Sequence, residues 1–165
     1  MMDTNTLAKR LVQAFAEKKH TLSFAESCTG GLAAATVVSV PGASEIFYGS
    51  IVSYDNSVKR RLLSVPRSVL ETVGAVSEAC ALQMAKGVRA AIGTDIAVSV
   101  TGIAGPGGGS PEKPVGTVFL GIDSARGSRV IRLSLGEAGD RTAIREHSVY
   151  EMLEAALDEL NMITK

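Results

Sequence analysis

The residues able to do chemistry start with the block Ala25-Glu26-Ser27-Cys28-Thr29-Gly30-Gly31, which sets two hydroxyls, a thiol and a carboxylate beside two glycines. The apolar run Thr21 to Ala25 reads as a buried strand leading in, and the Ala/Val-rich run Leu32 to Val40 as a helix leading out. At such a junction the first helical N–H groups lack partners within the helix and point at whatever lies in front. A hydroxyl there has donors beside it for a phosphate or a developing oxyanion. The same residues also suit a plain N-cap, with Ser27 or Thr29 closing the helix and Gly30 and Gly31 easing the turn. Cys28 divides likewise: a helix start would acidify it into a nucleophile, whereas free cysteines mostly serve as small buried fillers.

A serine nucleophile needs a base. His20 precedes the first strand, at its amino end, and His147 sits among charged neighbours on a late helix, so a Ser/His/Asp triad is poorly supported. Lys59 follows Tyr54-Asp55-Asn56 by one helical turn and can serve if burial lowers its pKa, or it belongs with Arg60 and Arg61 to a solvated basic turn. Tyr54 is then either packing at a rim or a proton relay. The segment Gly102 to Gly109 can wrap a phosphate with backbone N–H groups, or serve as a flexible loop; it matches no Walker A or dinucleotide pattern. Arg141 and Arg145, one turn apart, share a helix face and could hold an anion together, or pair with Asp140, Glu137 or Glu146.

These groups need a frame. Apolar spacing predicts helices over Thr6–Lys19, Leu32–Val40, Val58–Leu63, Val69–Thr72, Ser77–Ile92 and Arg141–Leu160. Strands are predicted over Thr21–Ala25, Glu45–Tyr54, Asp95–Val100, Val115–Asp123 and Arg129–Leu135, the last two joined by a turn at Ala125-Arg126-Gly127-Ser128. Thr101 to Pro114 reads as a loop. Early alternation of helix and strand with a late hairpin argues for a three-layer α/β/α sandwich on a mixed, mainly parallel sheet. Ligands in such sheets lie beyond the carboxyl ends of the strands. Three predicted strands end in polar clusters: Glu26 to Thr29, Tyr54 to Asn56, and Thr101-Gly102. If those strands are parallel neighbours, the clusters share one rim, which raises Ser27 above a mere cap.

With 165 residues, the chain is expected to form one domain over 1–165 with a good core. A formal net charge of zero gives no basic field for nucleic acid. Two cysteines without metal spacing suit a reducing compartment. The first residues lack a signal-peptide pattern, and the longest uncharged stretch, Ser27 to Ser44, is too broken to span a bilayer. A cytoplasmic protein is therefore expected.

Five ordered blocks carry a specific resemblance: the Glu26 to Gly31 block, Pro41-Gly42-Ala43-Ser44, Gly49 to Asn56 with Lys59, Gly74-Ala75-Val76-Ser77, and Thr101 to Gly108 with Lys113 to Val118. Together they resemble the CinA C-terminal domain family over nearly the whole chain. The resemblance implies a nicotinamide-nucleotide amidohydrolase that converts nicotinamide mononucleotide (NMN) and water to nicotinate mononucleotide and ammonia in pyridine-nucleotide salvage. It implies a Ser/Lys mechanism with no metal and no cofactor. Ser27 would be the nucleophile, Lys59 the base and Tyr54 its assistant. Thr29, Gly30, Gly31, Asn56, Thr101, Gly102, Gly105, Arg141 and Arg145 would contact the substrate, the arginines at phosphate or ribose. The additional N-terminal domain of many members, resembling molybdopterin-binding proteins, is expected to be absent. Of possible homo-oligomers a dimer is the expected one. A non-catalytic nucleotide-binding module and a hydrolase centred on Cys28 remain the rival expectations.

Overall fold

A computed structural model describes residues 3–165. Five strands, β1 (Leu22–Glu26), β2 (Phe47–Val52), β3 (Ile96–Gly102), β4 (Thr117–Ser124) and β5 (Gly127–Ser134), form one sheet in the order β2-β1-β3-β4-β5. β1 runs parallel to both β2 and β3, while β4 and β5 are antiparallel. Glu26 lies in register with Val52 and with Val100, so the carboxyl ends of β1, β2 and β3 share one rim, as the sequence predicts.

Six α-helices cover the sheet: α1 (Thr4–Lys18), α2 (Leu32–Val38), α3 (Asn56–Leu63), α4 (Arg67–Thr72), α5 (Glu78–Ile92) and α6 (Arg141–Ile163). Large apolar side chains point from the strands to one face, where Leu22, Phe24, Ile96, Val98, Leu120 and Ile122 pack with Leu11 and Phe15 of α1 and Met152 and Leu153 of α6. Smaller residues point to the other, where Ala25 and Ala97 meet Cys80, Met84 and Val88 of α5 and Leu63 of α3. Small residues let α5 lie close: a Cβ at Gly121 would stand 2.2 Å from the Ala81 carbonyl oxygen. Layering thus follows from the alternation of side-chain size along each strand. Among the described residues no helix is long and apolar enough to cross a membrane.

Most boundaries shift by one to three residues from the sequence reading; β5, for example, starts at Gly127 rather than Arg129, and two of the shifts bear on the rim. Ala43–Glu45 coils into a 3-10 turn, so the second strand starts at Phe47 rather than Glu45. Thr101 and Gly102, read as loop, complete β3 by pairing with Phe119 and Val118.

Candidate active site

Ser27 follows β1 directly. Its N–H donates to the Val100 carbonyl at 3.1 Å, and its own carbonyl accepts from Gly30 N–H at 3.1 Å, which closes a tight turn. The chain then needs a left-handed backbone at Gly31, φ +99°, which glycine adopts without steric cost. Gly31 occupies the N-cap of α2 but has no side chain to cap it. Glu26 does so instead: its carboxylate accepts from the N–H groups of Gly31, Ala33 and Ala34 at 3.0, 3.1 and 3.0 Å. It also accepts from the hydroxyls of Thr29 at 2.7 Å and Ser50 at 3.0 Å. This corrects two expectations. Neither Ser27 nor Thr29 caps the helix, and the first amides of α2 are spent on Glu26, so they hold no oxyanion. Among the described residues the Cys28 and Thr29 amides donate to no protein acceptor. Glu26 was the residue that sequence reasoning passed over; a glutamate immediately before a turn and a helix start was the available signal.

Lys59 lies in the first turns of α3, a helix capped by Asp55 accepting from Ser57 N–H at 2.8 Å. It is 1% exposed. Its Nζ stands 2.9 Å from Ser27 Oγ, 2.7 Å from the Ser53 carbonyl and 3.1 Å from the Tyr54 carbonyl. All three neighbours are neutral oxygens. Burial holds its pKa below the ordinary lysine value, against smaller opposing pulls from Cys80, Cys28 and Asp55. In the neutral amine the two carbonyls take both N–H bonds, and the lone pair is left for the Ser27 hydroxyl. The solvated-turn reading of Lys59 is therefore corrected.

Ser27, Lys59, Tyr54, Asn56, Gly102 and Arg141 line one cavity of about 190 Å³. A neighbouring hollow of about 390 Å³, with Arg60 and Arg67 in its wall, shares Asn56 with it. The Tyr54 hydroxyl does not stand between the amine and the serine. It accepts from Arg141 Nη2 at 3.2 Å, and the direct Ser27–Lys59 contact leaves no gap for a phenol to bridge.

The other predicted contacts do not line this cavity. Thr29 is fully buried on Glu26, and Gly30 and Gly31 form the turn beneath. Thr101 donates its hydroxyl to the Ala75 carbonyl at 2.8 Å, and the Gly105 carbonyl accepts from Arg141 Nη1 at 2.7 Å. Arg145 donates to the carbonyls of Cys28 at 3.0 Å and Thr29 at 2.9 Å. It therefore clamps the serine turn rather than sharing an anion with Arg141, and among the described residues neither arginine pairs with a carboxylate.

Cys28 also lines the cavity, yet burial pushes its thiol up to about 11. The acidified nucleophile is thus replaced by a protonated buried thiol. His20 meets the Lys18 carbonyl at 2.6 Å and His147 meets Glu151 at 3.3 Å, so neither histidine attends the serine. Among the described residues no three His, Cys, Asp or Glu side chains form a group that could hold a metal ion.

Known proteins share this arrangement of chain. A CinA-like protein of Dictyoglomus thermophilum is 49% identical over 152 residues, which span 90% of this chain and 36% of the relative. One from Leptospira borgpetersenii is 48% identical over 144 residues, 87% of this chain and 31% of the relative. The chain thus spans about a third of the length of these curated relatives. The crystal structure of the competence/damage inducible protein CihA from Agrobacterium tumefaciens superposes with a TM-score of 0.92 at 42% identity, covering 98% of this chain and 97% of that one. A competence-damaged protein (CinA) superfamily member from Klebsiella pneumoniae gives a TM-score of 0.92 at 30% identity, covering 98% and 99%. The family pattern described as the CinA C-terminal domain matches residues 4–160, and the chain belongs to that family.

Proposed function

We propose that the protein is an amidohydrolase that cleaves the carboxamide of nicotinamide mononucleotide, giving nicotinate mononucleotide and ammonia. The observation that carries this reading is the Lys59 amine, buried without any carboxylate partner, at 2.9 Å from Ser27 Oγ. Lys59 accepts the hydroxyl proton as Ser27 Oγ bonds to the carboxamide carbon. The free amide of Cys28, which lines the cavity, takes the oxyanion; one such donor is worth about 3 kcal/mol of barrier. Lys59 returns the proton to the departing nitrogen, the C–N bond breaks, and ammonia leaves. Water, deprotonated by Lys59, then cleaves the ester on Ser27. The ring's pyridinium charge withdraws electrons from the amide and eases both attacks.

The cavity of about 190 Å³ is below the usual size of small-molecule pockets, roughly 300–1,000 Å³, so it takes the pyridine carboxamide alone. Ribose and phosphate extend past Asn56 and Arg141. Arg145, Thr29, Gly30 and Gly31 act on the turn, and Thr101 and Gly105 on the loop behind it. Purified protein incubated with NMN is expected to release ammonia and nicotinate mononucleotide. Ser27→Ala and Lys59→Ala should each stop release while the circular dichroism spectrum is unchanged. Ammonia release by Ser27→Ala would overturn the reading, and binding of NMN without turnover in the wild type would leave a nucleotide-binding module. Loss of activity in Cys28→Ala would favour the thiol instead.

A further inference from the structure

We infer that Glu26 is a positioning residue for the Ser27–Lys59 pair, an inference that rests on the amidohydrolase reading. Its side chain is fully buried and gathers three N–H and two O–H donors around two oxygens. These donors come from three places: the serine turn through Thr29 and Gly31, the start of α2 through Ala33 and Ala34, and β2 through Ser50. Its backbone adds a fourth tie, because the Glu26 carbonyl accepts from Ser53 N–H at 2.8 Å. Ser53 is the residue whose own carbonyl receives the Lys59 amine. One residue thus anchors both the turn carrying the nucleophile and the strand end that aims the base.

The choice of partners matters as much as their number. Every donor to Glu26 is neutral, and the partial positive charge at the start of α2 faces the carboxylate. A carboxylate so fully committed does not pair with Lys59, and none of the three bonds from Lys59 reaches an acid. A helix cap could be met by one or two of these donors. Ser50 lies outside α2 and does nothing for the helix end, yet it is drawn into the same cluster.

The test is Glu26→Gln, whose amide keeps the shape but turns an NH2 group toward N–H and O–H donors. It is expected to lower kcat about 100-fold, the cost of a small misplacement of reacting groups, with KM within about 2-fold because Glu26 touches no substrate. The second readout is the rate at which a fluorophosphonate labels Ser27 per folded molecule, expected to fall in parallel. Should Glu26→Gln not fold, Ser50→Ala removes the donor outside α2 and is expected to slow labelling about 5-fold or more, with Ser50→Thr restoring it. Labelling and kcat unchanged in a folded Glu26→Gln, or in Ser50→Ala, would reduce Glu26 to a helix cap and overturn the inference. A wild type inert to both fluorophosphonate and NMN would instead remove the amidohydrolase reading. Labelling of the wild type without ammonia release would remove only its substrate.

Discussion

Lys59 and Glu159 are both almost wholly buried, 1% and 2% exposed, at opposite rims of the sheet. Glu159 is held by charge: Arg129 Nε donates to it at 3.2 Å, Arg126 lies at 3.6 Å, and it is paired with the Ser124 hydroxyl. Lys59 is held by two carbonyls and a hydroxyl, with no counter-ion. Removing one partner of a buried ion cluster such as the one at Glu159 leaves uncompensated charge and destabilises the fold. A buried charge with only neutral neighbours is easily neutralised, which suits a base. The two rims thus differ in the partners they give a buried group: charged at Glu159, neutral at Lys59. Glu26, on the same rim as Lys59, differs from both: its carboxylate accepts from three N–H and two O–H donors and faces the start of α2.

The comparison breaks most sharply on activity. Lys59→Met, apolar and of similar length, is expected to cut ammonia release from NMN by 1,000-fold or more, in the upper part of the usual ~10²–10⁴ range for general bases. Glu159→Gln should leave the rate within about 2-fold. An equal loss in both would dissolve the distinction between the rims.

Gly87 tests how the rim around Lys59 is seated. A Cβ there would stand 2.0 Å from the Leu63 carbonyl at the end of α3, the helix that carries Lys59. Gly87→Ala should cost about 3 kcal/mol by overpacking and lower kcat as α3 shifts. Thermal melting with an ammonia assay reads both, and full activity at a lowered Tm would show that the seat tolerates movement.

Glu159→Gln is the stability counterpart. It leaves two arginines facing a neutral group and is expected to cost about 2 kcal/mol, discounted because the Arg126 and Arg129 side chains are 48% and 35% exposed. Urea denaturation measures it; an unchanged midpoint would make the ion cluster dispensable.

The pH dependence is subtler. Lys59 has a lowered pKa when folded, so the unfolded chain binds more protons between that value and the ordinary lysine pKa. Stability should therefore rise with pH through that window, and this rise should be absent from Lys59→Met and appear in the difference between wild type and that variant. Activity shares the sign: its acid limb should lie below the ordinary lysine pKa. Stability that falls across the window relative to Lys59→Met would contradict a base held neutral by burial. The smallest effect is expected of Cys28→Ala, whose thiol stays protonated well above neutral pH and whose loss should change kcat less than about 2-fold.

Much of this was legible in residue order. The alternation of helix and strand, the turn around Ala125-Arg126-Gly127 and the polar ends of three strands predict the layers and the rim, because each signal is local. The contact of Arg145 with the serine turn and the full set of partners of Glu26 were not legible. Arg145 meets the serine turn across 116 residues of sequence, and no spacing rule reports such a contact. For Glu26 the types of the nearby donors were visible, but not that they converge on one carboxylate.

By itself, then, the sequence determined which elements form and which chemical groups stand at their ends, since periodicity and capping act over a few residues. Only the tertiary structure decided that Lys59 is buried without a counter-ion beside Ser27, while Glu26 and Arg145 hold the turn from either side. Burial and charge partnership depend on the whole surrounding volume. They are set when strands and helices from distant parts of the chain close around one point.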